Sequence, residues 1–320
     1  MTNPLTARPG QKIDRLIGAL DSLKDGDIAV EMLIACGRSS VPHLADFLLK
    51  GAPRTISLPR CRAVRALGEL GAYSTLIAYF KQYVRPQDSQ VLFAEDAVRS
   101  AAAGELVRCH SSKVFKVLLD AAWQRATGGL VQALGEFHRA ESVPLLFEFL
   151  EDDLCREGAM CSLRKLPEAA RQFGILSIRG LTDVTLDGPS AVCRRRATLQ
   201  LLSELGVARE DWPDLRQFLW ENDPGNVIAA AQIGLRIAPE AEWPEIITAL
   251  FKTASKLNSL QEEDVQQLLD AHPVMAREIA LQIARNRKDA GEKPNWLSPS
   301  WRILNHLLGR TLETGHHGEA

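Results

Sequence analysis

The residues best suited to chemistry in this 320-residue chain are its clustered arginines. Arg60, Arg62 and Arg65 fall within one short stretch, Arg99 stands in the next, and Arg194, Arg195 and Arg196 are consecutive. A guanidinium is a permanently charged planar fork that engages carboxylates and phosphates two bonds at a time. These groups predict one of two things. Either they form a basic strip that grips phosphates or an acidic partner, or they pair with acids such as Glu69, Glu95, Asp96 and Glu204 and hold the fold in register. Arg62, Arg65, Arg99, Arg194, Arg195 and Arg196 are therefore the candidate partner-binding residues. Charge is unevenly spread: Arg54–Lys116 is basic and Glu204–Glu245 acidic, which makes the basic N-terminal third the better binding candidate.

Other reactive side chains read more simply. Cys155 and Cys161 are six positions apart and do not share a helix face, and Cys109-His110 has no partner pair at a metal-binding spacing. No metal or cofactor site is expected. Glu151-Asp152-Asp153 reads as a solvated turn, lacking the apolar surroundings that raise a carboxyl pKa for acid–base work. No glycine-rich phosphate loop or nucleophile elbow is present, so no catalytic residue is assigned. Ser39-Ser40 and Ser111-Ser112 are expected to cap helices. Trp212 and Trp243, each in an acidic–Trp–Pro–acidic–apolar phrase, are expected to staple a helix start by packing back on its first turns.

Helices must position all of these. In Arg60–Lys81, Ala63, Ala66, Leu67 and Leu70 recur at helical spacing, Gly71 breaks the pattern, and Leu76, Ile77 and Phe80 resume it. The stretch reads as a helical hairpin, and two amphipathic helices need further neighbours to cover their apolar faces. The same grammar recurs at a period of roughly 30–40 residues. It appears at Asp27–Leu49, Phe93–Ala122, Leu130–Asp153, Leu154–Leu181, Cys193–Glu221 and Asn226–Ala254. Pro42, Pro144, Pro213, Pro244 and Pro273 read as starts of second helices, where a missing N–H costs nothing. Gln11–Leu23 and Trp296–Leu312 are expected to cap the two ends, as terminal repeats must.

Units such as RAVRALGELG and VPLLFEFLEDD resemble the HEAT-repeat superfamily, in particular the bacterial repeats related to phycobilisome lyases. The resemblance covers roughly residues 27–281. It implies an all-α fold, a right-handed α-solenoid of about seven to eight hairpins. The expected organisation is a capping helix in 1–26, repeats in 27–181, a polar break at 182–189, degenerate repeats in 190–288, a capping helix at 296–312 and a frayed tail at 313–320. Such a fold implies a non-catalytic adaptor that holds another protein or peptide on a concave surface lined by second helices. The alternatives are nucleic-acid binding of the HEAT-like DNA glycosylase type, and a bilin lyase or chaperone. All rest on fold analogy for their chemistry.

The bulk composition agrees with a folded helical chain: 46% hydrophobic, only 6% aromatic and a formal net charge of −2. That charge gives a dedicated nucleic-acid binder no support. No apolar run is long enough to span a membrane, and the N-terminal residues lack a secretory pattern. Six cysteines, too sparse for a disulfide scaffold, complete the expectation of a cytoplasmic protein.

Overall fold

The structure, a computed structural model, describes residues 9–179, 188–295 and 297–314. Among them every regular element is helical, and no helix is long and apolar enough to cross a membrane. The chain divides into two compact units, Met1–Leu166 and Pro167–Ala320. The break expected at 182–189 falls, up to residue 187, outside the described residues, and the first unit ends earlier, between Lys165 and the proline that starts a new helix.

Unit 1 opens with α1 (Pro9–Ala19). Four hairpins follow: α2 (Gly26–Ala35) and α3 (Val41–Leu49), α4 (Leu58–Glu69) and α5 (Tyr73–Lys81), α6 (Ser89–Val107) and α7 (Ser112–Gln124), α8 (Gly128–Glu136) and α9 (Val143–Glu148). The unit ends in α10 (Arg156–Arg164). Unit 2 starts with α11 (Pro167–Arg179) and continues with α12 (Pro189–Leu205) and α13 (Trp212–Leu215), α14 (Pro224–Ile237) and α15 (Trp243–Thr253), α16 (Ser259–Asp270) and α17 (Pro273–Asp289). It closes with α18 (Pro299–Thr314).

The local sequence explains these boundaries. Pro42, Pro144, Pro213, Pro244 and Pro273 all occupy the first two positions of second helices, where the proline ring is pre-set for the helix. Helix α4 ends in a Schellman motif. Ala72 N–H reaches Leu67 O, and Gly71 N–H reaches Gly68 O, at 2.9 Å each, with Gly71 at φ +66, a conformation that favours glycine. Asn258 and Gln261 form a reciprocal capping box at the start of α16.

Hairpins stack in order. In unit 1 the first helices pack serially, α2 on α4, α4 on α6, α6 on α8 and α8 on α10, while α1, α3, α5 and α7 form a second layer. Unit 2 repeats the scheme, with α12, α14, α16 and α18 in one layer and the pairs α11–α13 and α15–α17 in the other. Each unit has its own core of Leu, Ile, Val and Ala between the layers. Leu33, Leu67, Leu106 and Leu134 occupy equivalent depths in unit 1, and Leu199, Ala230, Leu250 and Val265 lie in that of unit 2. First helices approach closely where a side chain is missing. A Cβ on Gly129 would lie 2.7 Å from Ser100 Cα, and one on Gly135 would lie 2.8 Å from Ser162 Cα.

Two expectations need correction. The Ser39 and Ser40 hydroxyls cap no N–H: Ser40 Oγ donates to Leu33 O (2.9 Å) and Gly37 O (2.7 Å), and Ser39 Oγ donates to Cys36 O (2.7 Å). A 3₁₀ turn at Gly37–Ser40 runs straight into α3, so the hydroxyls satisfy the end of the preceding helix instead. Ser111 does cap, accepting from Val114 N–H at 3.2 Å. The tryptophans also differ from a backward staple. Trp212 is itself the first residue of α13, and its ring fills the space beside Gly234 on α14. Its Nε1–H donates to Glu242 at 2.8 Å. Trp243 meets His272 edge-on, with centroids 4.6 Å apart. Each indole therefore reaches forward into the following repeat, where a glycine leaves room for the first of them.

Candidate functional site

The arginines lie along first helices, as their spacing suggests, and the structure turns most of them toward neighbouring repeats. Arg62 on α4 is only 6% exposed. Its guanidinium donates to both carboxylate oxygens of Asp27 (3.1 Å each) and to the carbonyls of Leu20 and Ser22 (2.8 Å each). That hydrogen bonding holds the Asp27 carboxyl below its ordinary pKa. Arg60 pairs at 3.2 Å with Glu95, which is also hydrogen-bonded by the Tyr79 hydroxyl, all three being buried. Burial, reinforced by the Glu95 charge, pushes the Tyr79 phenol well above its usual value. Arg65 is exposed and pairs with Glu31 at 3.0 Å.

Arg99 is completely buried. One Nη donates to Ala121 O at 2.9 Å, and the guanidinium lies over the Tyr83 ring, 4.2 Å from its centroid. Desolvation lowers its pKa from the ordinary arginine value. Arg195, equally buried, sits 3.0 Å from Glu221. Arg196 is half-buried and forks onto Asp223, with Nε 3.0 Å from one oxygen, a bond that raises its pKa. Arg194 is half-buried on α12, its carbonyl accepting from Thr198. Of the six candidates, Arg62, Arg65 and Arg196 thus meet carboxylates across the boundaries between repeats, and Arg195 meets one at the end of its own hairpin.

The structure also leaves large apolar side chains exposed. Within each unit, most connections from a second helix to the next first helix expose a large apolar side chain in or beside them. In unit 1 these are Leu23, Ile56, Val84 with Phe93 on the first turns of α6, Trp123 at the end of α7, and Leu154, all more than 60% exposed. The edge is continuous across repeats. Asp21 and Ile56, from two successive connections, line one hollow of about 560 Å³ with Pro59 and Val91 from the first turns of α4 and α6. Farther along, Arg125 forks onto Asp96 (2.8 and 3.0 Å from Nε) and ties the α7–α8 connection to α6. Unit 2 places Trp220, Leu260 and Leu297 at its own connections.

Phe93 and Trp123 lie within α6 and α7, whereas Leu23, Ile56, Val84 and Leu154 lie in the breaks between helices and so escape a reading built on helical periodicity. The signal that could have found them is an isolated large apolar residue inside a polar connection, such as Ile56 in Arg54-Thr55-Ile56-Ser57 or Leu154 after Asp152-Asp153. Such a residue has no helix face to belong to. No protein-family model matches the chain, and no curated protein matches it.

Proposed function

We propose that this chain is a non-catalytic binding scaffold of HEAT-repeat type, a right-handed α-solenoid of about seven to eight hairpins that holds another protein or a peptide. The observation that carries this reading is the row of exposed apolar residues at the unit 1 connections, Leu23, Ile56, Phe93, Trp123 and Leu154. Single exposed apolar residues are common on any protein, but a row recurring once per repeat along one edge marks an interaction surface. The favoured surface is therefore this edge, in place of the second-helix face suggested by the sequence. The nucleic-acid alternative loses its main support, since the arginines that would grip phosphates are engaged by carboxylates or buried in the fold. A reducing, cytoplasmic setting fits six free thiols.

The test is capture of partners from native extract on the immobilised protein, after nuclease treatment and at low and high salt, with the double variant Ile56→Asp/Phe93→Asp in parallel. A protein retained by the wild type through high salt, and lost by the variant, supports the edge. Equal capture by both removes it. Recovery of nucleic acid that falls steeply with salt would favour the nucleic-acid alternative instead.

A further inference from the structure

Unit 2 contains a polar groove on its first-helix layer, with a volume of about 450 Å³, within the range of ligand-binding clefts. Its floor is α14, whose small residues Gly225 and Ala229 keep it low, and its walls come from α12 and α16. We propose that this groove binds the main chain of an extended, uncharged peptide segment. The proposal rests on the reading of the chain as a binding scaffold, but on residues separate from the connection edge.

The lining selects the ligand class. Arg196 and Arg236 are balanced by Glu204 and Asp264. Both arginines are also engaged: Arg196 forks onto Asp223, and Arg236 donates to Ser203 O at 2.6 Å. A site with no surplus charge does not select a phosphate or a charged tail. No aromatic ring lines it, so it offers no platform for stacking a nucleobase.

What it does offer is one carboxamide from each of three successive first helices: Gln200 on α12, Gln232 on α14 and Gln261 on α16. A carboxamide carries the same donor and acceptor as a peptide bond. Each glutamine is oriented by one internal bond. Gln232 Oε1 accepts from Ser203 Oγ (3.3 Å), Gln261 Oε1 accepts from Asn258 N–H (3.1 Å), and Gln200 Nε2 reaches Glu204 at 3.5 Å. Those bonds leave, among the described residues, the amide N–H groups of Gln232 and Gln261 and the carbonyl of Gln200 for a ligand. Two donors and an acceptor are the groups that the carbonyls and N–H groups of an extended peptide require. The groove follows α14 from Gly225 to Arg236, about 17 Å at 1.5 Å per residue. An extended chain rising about 3.3 Å per residue would place roughly five residues there.

The experiment pans a random heptapeptide phage library on the purified full-length protein, with an unrelated protein as control. Enriched peptides are then measured by fluorescence anisotropy. Affinity should fall at least about tenfold for Gln200→Leu/Gln232→Leu, which keeps the side-chain volume and removes the amides. It should fall similarly when central amides of the peptide are N-methylated, a change that needs no variant protein. Ile56→Asp should have no effect on it. No enrichment over the control, or binding indifferent to both the glutamine variant and N-methylation, would overturn the proposal. The two readings separate cleanly: an extract partner lost with Ile56→Asp, together with no selected peptide, leaves the edge standing and removes the groove.

Discussion

Alanine in place of Gly135 should destabilise unit 1, although the same substitution in an open helix stabilises. Gly135 lies in α8, and its missing side chain is what allows α10 to approach. A Cβ there would overlap Ser162 Oγ and would sit 2.6 Å from the Ser162 Cβ and 2.8 Å from its Cα. The last distance is about 0.6 Å inside the 3.4 Å at which ordinary contact begins, and a backbone atom cannot rotate away. Nor can α8 simply retreat. On its other side Gly129 is seated as tightly against Ser100 of α6. Overpacking of this kind costs about 1–3 kcal/mol. Displacing Ser162 also threatens its 2.9 Å bond to Val131 O, a further loss of about 1 kcal/mol. Against these stands a helix-propensity gain of about 1 kcal/mol for replacing glycine. The net expectation is a loss of about 1–3 kcal/mol. Gly104 is the internal control: it lies exposed in α6, and a Cβ added to it would meet nothing within 4 Å, so Gly104→Ala should gain about 0.5–1 kcal/mol. Urea unfolding followed by circular dichroism reads both. A Gly135→Ala midpoint at or above wild type would refute the close approach of α8 and α10 as the basis of their packing.

Three further outcomes are expected. Arg62→Lys should lower the urea midpoint by the equivalent of about 2 kcal/mol, because a single ammonium cannot span the two buried-side carbonyls and the carboxylate that the guanidinium joins; an unchanged midpoint would count against that brace. Asp27 has a depressed pKa through its bonds to Arg62, so its contribution is fully present above the ordinary carboxylate value and is lost as pH falls through the depressed one. Asp27→Asn should therefore flatten the loss of stability below about pH 4, and an acid limb identical to wild type would show the carboxylate to be idle. Tyr79 has the opposite sign: its pKa is raised, by burial first and then by Glu95, so its contribution is present below about pH 10 and lost as pH rises. Absorbance at 295 nm should show the Tyr79 ionisation only together with unfolding, and Tyr79→Phe should shrink that step; reversible ionisation near pH 10 with native circular dichroism would contradict the burial.

The fold was legible wherever periodicity and punctuation coincide. Ala63, Leu67 and Gly71 specify a helix and its end by local physics alone, and the second-helix prolines mark starts without any tertiary information. The structure follows both. The site was less legible, since charge clusters reveal composition but not direction. Arg62 and Asp27 are separated by 35 residues in sequence, about one repeat, and nothing local says that a cation will turn inward to meet the preceding connection. The tryptophans mislead for the same reason. Trp212 looks like a local staple until Gly234, which makes space for its ring on the next first helix, is placed beside it.

A repeated fold imposes this division of labour. Each hairpin must recognise the next one, so the most directional side chains are drawn to the boundaries between repeats, where a bidentate fork fixes register better than an apolar contact does. Arg65 to Glu31, Arg108 to Glu69, Arg125 to Asp96 and Arg196 to Asp223 all cross such boundaries at 27 to 39 residues' separation. A cation held in this way is screened from a ligand by its own partner carboxylate. The binding positions proposed above are ones that stacking does not use: the connections, most of which expose an apolar residue in or beside them, and the first-helix surface of unit 2, where small residues on α14 leave room beside the glutamines. Arginine-rich repeats can accordingly look like binding surfaces in sequence while their guanidinium groups are spent on the carboxylates of neighbouring repeats.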